Sequence, residues 1–221
     1  MKEDALTRVI WCTESPDPQQ QVRESVSMEI TRTRPERPPA PAKVKILAVA
    51  DQLFYSEGIH TVGVDKIIAA AHVTKATFYK HYRSKDLLIV AYVAGRDKQA
   101  RGFLADRRAA LDDPAAVLRA LADAIIVEAT REGFHGCPYI NAAAQFSDEM
   151  HPVRVAVTEH RTWYRHTLVD LLSEMGHPNP AQGADDLLLA RDGALSGGNV
   201  GDPEAASAAL RRAFERTLAE A

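Results

Sequence analysis

The run GIHTVGVDKIIAAAHVTKATFYKHYRSKDLL, residues 58 to 88, decides the fold of this chain. Val64, Ile67, Ile68 and Ala71 recur at helical spacing, so a helix over about 64 to 71 turns one apolar face inward. His72-Val73 breaks that pattern, and Thr74 supplies the side-chain oxygen that an N-cap needs. A third helix then spans about 75 to 81, with Phe78 and Tyr82 four apart to hold it against the first and fourth helices. Ser84 caps the fourth helix and Asp86 sits in its first turn, where the helix dipole favours a carboxylate. Two helices joined by so short a turn, the second one polar and basic, form a helix-turn-helix, whose second helix enters the major groove of DNA.

Upstream, Lys43 to Tyr55 carry Val44, Leu47, Ala48, Asp51, Phe54 and Tyr55 on a mainly apolar stripe, and Gly58 ends that helix. Before it, residues 1 to 42 show no sustained period and finish in a proline-rich stretch, so they are expected to be a disordered or extended tail. Met28 is a candidate alternative start within it, and Arg32, Arg34 and Arg37 a candidate basic arm along a DNA groove. Downstream, helices are expected at about 114 to 131, 138 to 147, 152 to 175, 182 to 197 and 203 to 219, with Asp-Pro pairs opening the first and last. Gly197-Gly198 marks an end, and SGGNVG at 196 to 201 reads as a loop. No alternating pattern argues for a strand. The expected class is all-α: a small helix-turn-helix domain over 43 to 90, then a larger helical domain over 91 to 221.

Charge is distributed to suit this division. The chain carries −3 overall, but residues 43 to 85 carry +4, so the remainder carries −7. The basic part is the helix-turn-helix. Lys75, Lys80 and Lys85 supply charge there, while Thr74, Thr77, Tyr79 and His81 supply donors for phosphate oxygens.

The same run resembles the N-terminal signature of the TetR family of transcriptional regulators, through Gly58, Val64, Ile67, Val73, Thr77, Phe78-Tyr79 and Ser84-Lys85 over roughly residues 43 to 93. The resemblance implies a homodimer on double-stranded DNA at a palindromic operator, with Thr77, Tyr79, His81 and Lys85 meeting DNA and Thr74, Lys75 and Lys80 close by. Thr61, ahead of the second helix, is expected at the backbone. His72 stands where the family usually has glycine, so it must tolerate or avoid a left-handed backbone.

The C-terminal part resembles the effector-binding and dimerisation domain of that family. The family pattern places the last two helices at the dimer interface, here with Leu187, Leu188, Leu189, Ala194, Leu195, Leu210, Phe214 and Leu218 as its apolar surface. An unknown small-molecule effector is expected to release the DNA, and Tyr139, Asn141, Gln145, Phe146, His160, Trp163 and Tyr164 are the candidates to line its pocket. Residues 133 to 154 are similar to a stretch found in one branch of the family.

Other functions fit less well. GxSxG, a phosphate-binding GxxxxGK[ST], HExxH and CxxC are all lacking, so no enzymatic activity, cofactor or metal site is expected. Cys12 and Cys137 lie too far apart in sequence to suggest a disulfide framework, and Cys137 is read as a buried structural thiol rather than a redox sensor. No apolar run is long enough for a membrane span, and a cytoplasmic location is expected.

Overall fold

The computed structural model describes residues 40 to 221, and these form one compact unit. Of the candidate tail over residues 1 to 42, residues 1 to 39, with Met28, the three arginines and Cys12, lie outside the described residues, while Pro41 and Ala42 belong to the first helix. Nine helices and no strand are found among the described residues: α1 Pro41–Glu57, α2 Val64–Ala70, α3 Lys75–His81, α4 Lys85–Ala110, α5 Pro114–Ala129, α6 Pro138–Ala144, α7 Pro152–Glu174, α8 Pro180–Val200 and α9 Pro203–Leu218. The class is all-α, as expected.

Proline opens most of these helices because its missing N–H costs nothing in the first turn. Pro41 therefore starts α1 two residues before the expected Lys43, and a proline read as a breaker is a starter. Asp113 and Asp202 cap α5 and α9 as expected, accepting from Ala115 N at 3.0 Å and from Glu204 N at 2.9 Å.

The buried stripe of α1 is Ile46, Ala50 and Phe54, flanked by Leu47, Val49 and Leu53, while Val44 is half exposed. The expected stripe was rotated by part of a turn. Asp51 sits at its edge to meet Arg96 of α4 in a two-pronged ion pair of 2.6 and 2.9 Å. The first core joins α1 to α4 with α6 and the start of α7, through Ile67, Phe78, Leu88, Tyr92, Tyr139 and Val153. A second core lies among α4, α5, α7, α8 and α9, around Leu118, Leu168, Leu172, Leu187, Leu210 and Phe214. Helix α4 contributes to both, and residue 90, where the sequence suggested a boundary, falls inside it.

Two expectations about α8 and α9 need correction. Gly197 and Gly198 do not end a helix, since α8 continues to Val200. Gly198 is closely approached, since a Cβ there would stand 3.3 Å from Ala129 Cβ, whereas one at Gly197 would make an ordinary contact of 3.5 Å with Ala206 Cβ. The eight apolar residues assigned to a dimer surface mostly face inward, with Leu187, Ala194, Leu195, Leu210, Phe214 and Leu218 buried in the chain's own cores. Only Leu189 among them is largely exposed, at 73%. A large apolar residue contributes most where it loses most water, and the intrachain core claims it first.

Candidate nucleic-acid interface and interior cavity

Helix α2 ends in a Schellman motif. Val73 N donates to Ile68 O at 3.2 Å and His72 N to Ala69 O at 3.1 Å, and His72 takes φ of 50° between them. The histidine thus accepts the left-handed conformation that glycine usually fills. Thr74 Oγ1 then accepts from Thr77 N at 3.1 Å and starts α3, with four residues, 71 to 74, between it and α2. Phe78 is fully buried, and Tyr82 is nearly so while its hydroxyl donates to Lys43 O of α1 at 3.3 Å. These anchors leave the opposite face of α3 outward.

That outward face and the segments flanking it hold the candidates. Thr61, Thr74, Lys75, Tyr79 and Lys80 are exposed, and Thr77, His81 and Lys85 are half-buried. Lys75 meets Asp65 at 3.4 Å, but both side chains are mostly in water, so the pair is weak and its ammonium can exchange to a stronger anion. The Thr77 hydroxyl lies 2.9 Å from that of Thr74, which sets its rotamer. Lys85 opens α4 beside the cap Ser84, whose Oγ accepts from Leu87 N, and its ammonium lies 5.9 Å from the Phe54 ring centre. Burial pulls its pKa down, the neighbouring Asp86 carboxylate opposing. The two short helices therefore present a polar, basic surface on an apolar base.

A cavity of about 290 Å³ lies among α4, α5, α6, α7 and α8. Tyr139, Trp163 and Tyr164 of the expected set line it. His160 stands behind Tyr139, with rings stacked at 3.6 Å, and its Nδ1 is 2.8 Å from Asp97. Burial pulls the His160 pKa down to about 4, the nearby Asp97 carboxylate opposing, so the ring is neutral at pH 7. Asn141, Gln145 and Phe146 are not in this cavity. Asn141 and Gln145 line a second cavity of about 330 Å³, beside Tyr55 and Gly58, and Gln145 O contacts His60 Nε2 at 2.8 Å. Phe146 stacks on His151 at 4.1 Å.

The wall residues that the sequence did not disclose are Arg96, Phe103, Phe134 and Arg191. A lone arginine in an amphipathic helix usually denotes a solvated face, and no local signal separates these two from it. Arg191 is only 9% exposed, contacts Asp192 at 2.7 Å and Cys137 Sγ at 3.7 Å, and lies 5.0 Å from the Tyr164 ring centre. Cys137 is buried and forms the N-cap of α6. Cavity and helix-turn-helix also share a connector: the Tyr55 hydroxyl of α1 accepts from His135 N and donates to Gly136 O, both at 3.1 Å, just ahead of Pro138 and Tyr139.

A basic helix-turn-helix joined to a larger helical body with a partly open cavity defines a DNA-binding regulator. Residues 46 to 92 match the model of the bacterial regulatory proteins of the tetR family. A solved TetR-family transcriptional regulator from Streptomyces coelicolor is 37% identical and superposes with a TM-score of 0.77, over 80% of this chain and 94% of that one. The HTH-type transcriptional regulator LmrA of Bacillus subtilis is 28% identical over 125 residues, spanning 55% of this chain and 66% of that protein, a little under two thirds of its length. A TetR regulator from Legionella pneumophila, 20% identical with a TM-score of 0.72 over 80% of this chain, shares the fold. The chain belongs to the TetR family of bacterial transcriptional regulators. No helix of the described residues is long and apolar enough to cross a membrane.

Proposed function

We propose that this regulator is a ligand-responsive repressor that binds a palindromic operator as a homodimer and lets go when a small molecule fills the cavity. The observation that carries the reading is the continuity of α4, which begins at Lys85 beside the recognition helix α3 and reaches the cavity wall at Arg96, Gln99, Phe103 and Leu104. A rigid rod with its two ends in different sites couples them, provided that the ligand favours one of its positions. Residues 43 to 90 read DNA and 91 to 221 sense and dimerise. Thr77, Tyr79 and Lys75 lie over base edges, and Thr61, Thr74, Lys80, His81 and Lys85 hold phosphates. Their outward placement on α3 and its flanks supports this.

The homodimer forms through α8 and α9. In place of the buried leucines, the supporting surface is an outward stripe of Leu189, Gly193, Ser196 and Val200 on α8 beside Ala205, Ala208 and Ala209 on α9, all exposed or half-buried within one chain. Small residues let two helix pairs approach closely, and twofold symmetry then places both α3 helices about 34 Å apart, one turn of DNA. Such a protein acts in the cytoplasm. The test is selection of bound duplexes from random DNA with purified protein, followed by sedimentation. A palindrome and a dimer are expected, with Leu189→Glu giving monomers. A non-palindromic consensus bound by a monomer overturns the reading.

A further inference from the structure

We infer that the cavity takes a small, flat, apolar molecule carrying a single carboxylate, held by the Arg191 guanidinium and the Tyr164 hydroxyl. The inference rests on the repressor reading for its biological meaning but not for its chemistry.

Charge bookkeeping around the cavity is the first support. Arg96 is matched by Asp51, and Glu128, also on the wall, is matched by Arg131. Arg191 has no carboxylate to itself. Asp192 binds its Nη1 at 2.7 Å and gives its other oxygen to Arg161, also at 2.7 Å. Two guanidiniums and one carboxylate leave one unit of positive charge, and Arg191 is the member on the cavity wall. A buried cation with half a counter-ion is costly, and a monoanion beside it recovers that cost.

An unsatisfied donor stands next to it. The Tyr164 side chain is on the wall and its hydroxyl, closed off from solvent, donates to no acceptor, while its ring lies under the Arg191 guanidinium. A buried hydroxyl whose proton finds no acceptor is destabilising. Burial raises its pKa, so it stays protonated and can donate. A carboxylate accepts from a planar guanidinium and a phenol together, and the geometry favours arginine over lysine for it.

The rest of the wall sets the body of the ligand. Phe103, Leu121, Ile125, Phe134 and Trp163 surround the cavity, and these offer apolar side chains, three of them aromatic. A volume of about 290 Å³ is at the small end of the range for small-molecule sites. One or two fused rings bearing one acid group match it.

Benzoate, cinnamate and the naphthoates, each paired with its neutral primary amide, are suitable probes. They are titrated into the full chain carrying Trp11→Phe, which leaves Trp163 as the reporter. At least one carboxylate should quench Trp163 with a Kd below about 100 μM, and its amide should bind roughly ten-fold more weakly. Arg191→Gln should abolish that difference, and Tyr164→Phe should weaken the carboxylate roughly three- to ten-fold while leaving the amide unchanged. Equal or better binding of the amide overturns the inference, as does the lack of any carboxylate binding below about 1 mM. Should Arg191→Gln fail to fold, Tyr164→Phe decides, because it removes a single oxygen; unchanged carboxylate affinity in that variant overturns the proposal. Operator affinity is measured in parallel. A carboxylate that binds with this pattern yet leaves DNA binding unaltered keeps the ligand class and removes the repressor reading. Amides that bind and release DNA do the reverse.

Discussion

The helix-turn-helix and the cavity handle polar groups in opposite ways. In the first, the polar bonds that build the site are local: Thr74 to Thr77, Val73 to Ile68, Ser84 to Leu87. They leave basic side chains in water, where a long polyanion can collect them. In the second, the bonds join residues far apart in sequence, as in Asp51 with Arg96, Asp97 with His160 and Cys137 with Arg191. These groups are partly or wholly withdrawn from water and paired, and what remains unpaired suits a ligand small enough to enter. A surface that binds by summed charge and an interior that binds by one or two satisfied bonds thus coexist, joined by α4.

The contrast can be broken most severely at its shared base. Phe78→Ala removes a fully buried ring from the core that fixes α3 on α1 and α4, and should cost about 3 to 5 kcal/mol in denaturant unfolding. DNA binding should disappear with it. If stability hardly changed, the recognition helix would not depend on that core.

Next in size is an effect confined to the interior. Folded His160 holds its pKa near 4 against an ordinary 6.5, chiefly through burial. The unfolded chain takes up a proton near pH 6.5 that the folded chain refuses until about pH 4, so stability is full above that window and falls as pH drops through it. The loss is at most about 3 kcal/mol. His160→Gln should flatten this part of the stability profile relative to the parent, and an unaltered slope would place the proton elsewhere.

Smaller again is the cap. Thr74→Ala deletes the acceptor for Thr77 N and should cost about 1 kcal/mol, with a further loss of DNA affinity because Thr77 loses its rotamer support. The smallest effect on stability belongs to Lys85→Ala, roughly 0.5 kcal/mol or less. Its signature is instead in binding: the slope of log affinity against log salt should flatten by about one unit for every duplex tested. A change of sequence preference without a change of slope would move Lys85 from phosphate to base.

Much of the first region was legible in the sequence. Its caps, its anchors Phe78 and Tyr82 and even the strained turn at His72 depend on residues within a few positions, so side-chain type at a given spacing announces them. The second region was legible only in part. Tyr139, Trp163 and Tyr164 were found as aromatic residues on inner helices, whereas Asn141 and Gln145 line the second cavity and Phe146 stacks on His151. Arg96 and Arg191 were missed because a buried arginine and a surface one look alike until the partner arrives from another helix. The dimer leucines and Gly197-Gly198 failed for the same reason: a leucine does not say which core it fills, nor a glycine whether it ends a helix or admits a neighbour.

The sequence by itself determined the all-helical class, the basic helix-turn-helix and its family, because capping, periodicity and charge act over one or two turns of chain. Only the tertiary structure decided which side chains surround the cavity, which charge there is left half-matched and which face of α8 and α9 remains uncovered. Those properties arise when residues dozens of positions apart exclude water from one another, and burial is a property of the packed chain rather than of any segment of it.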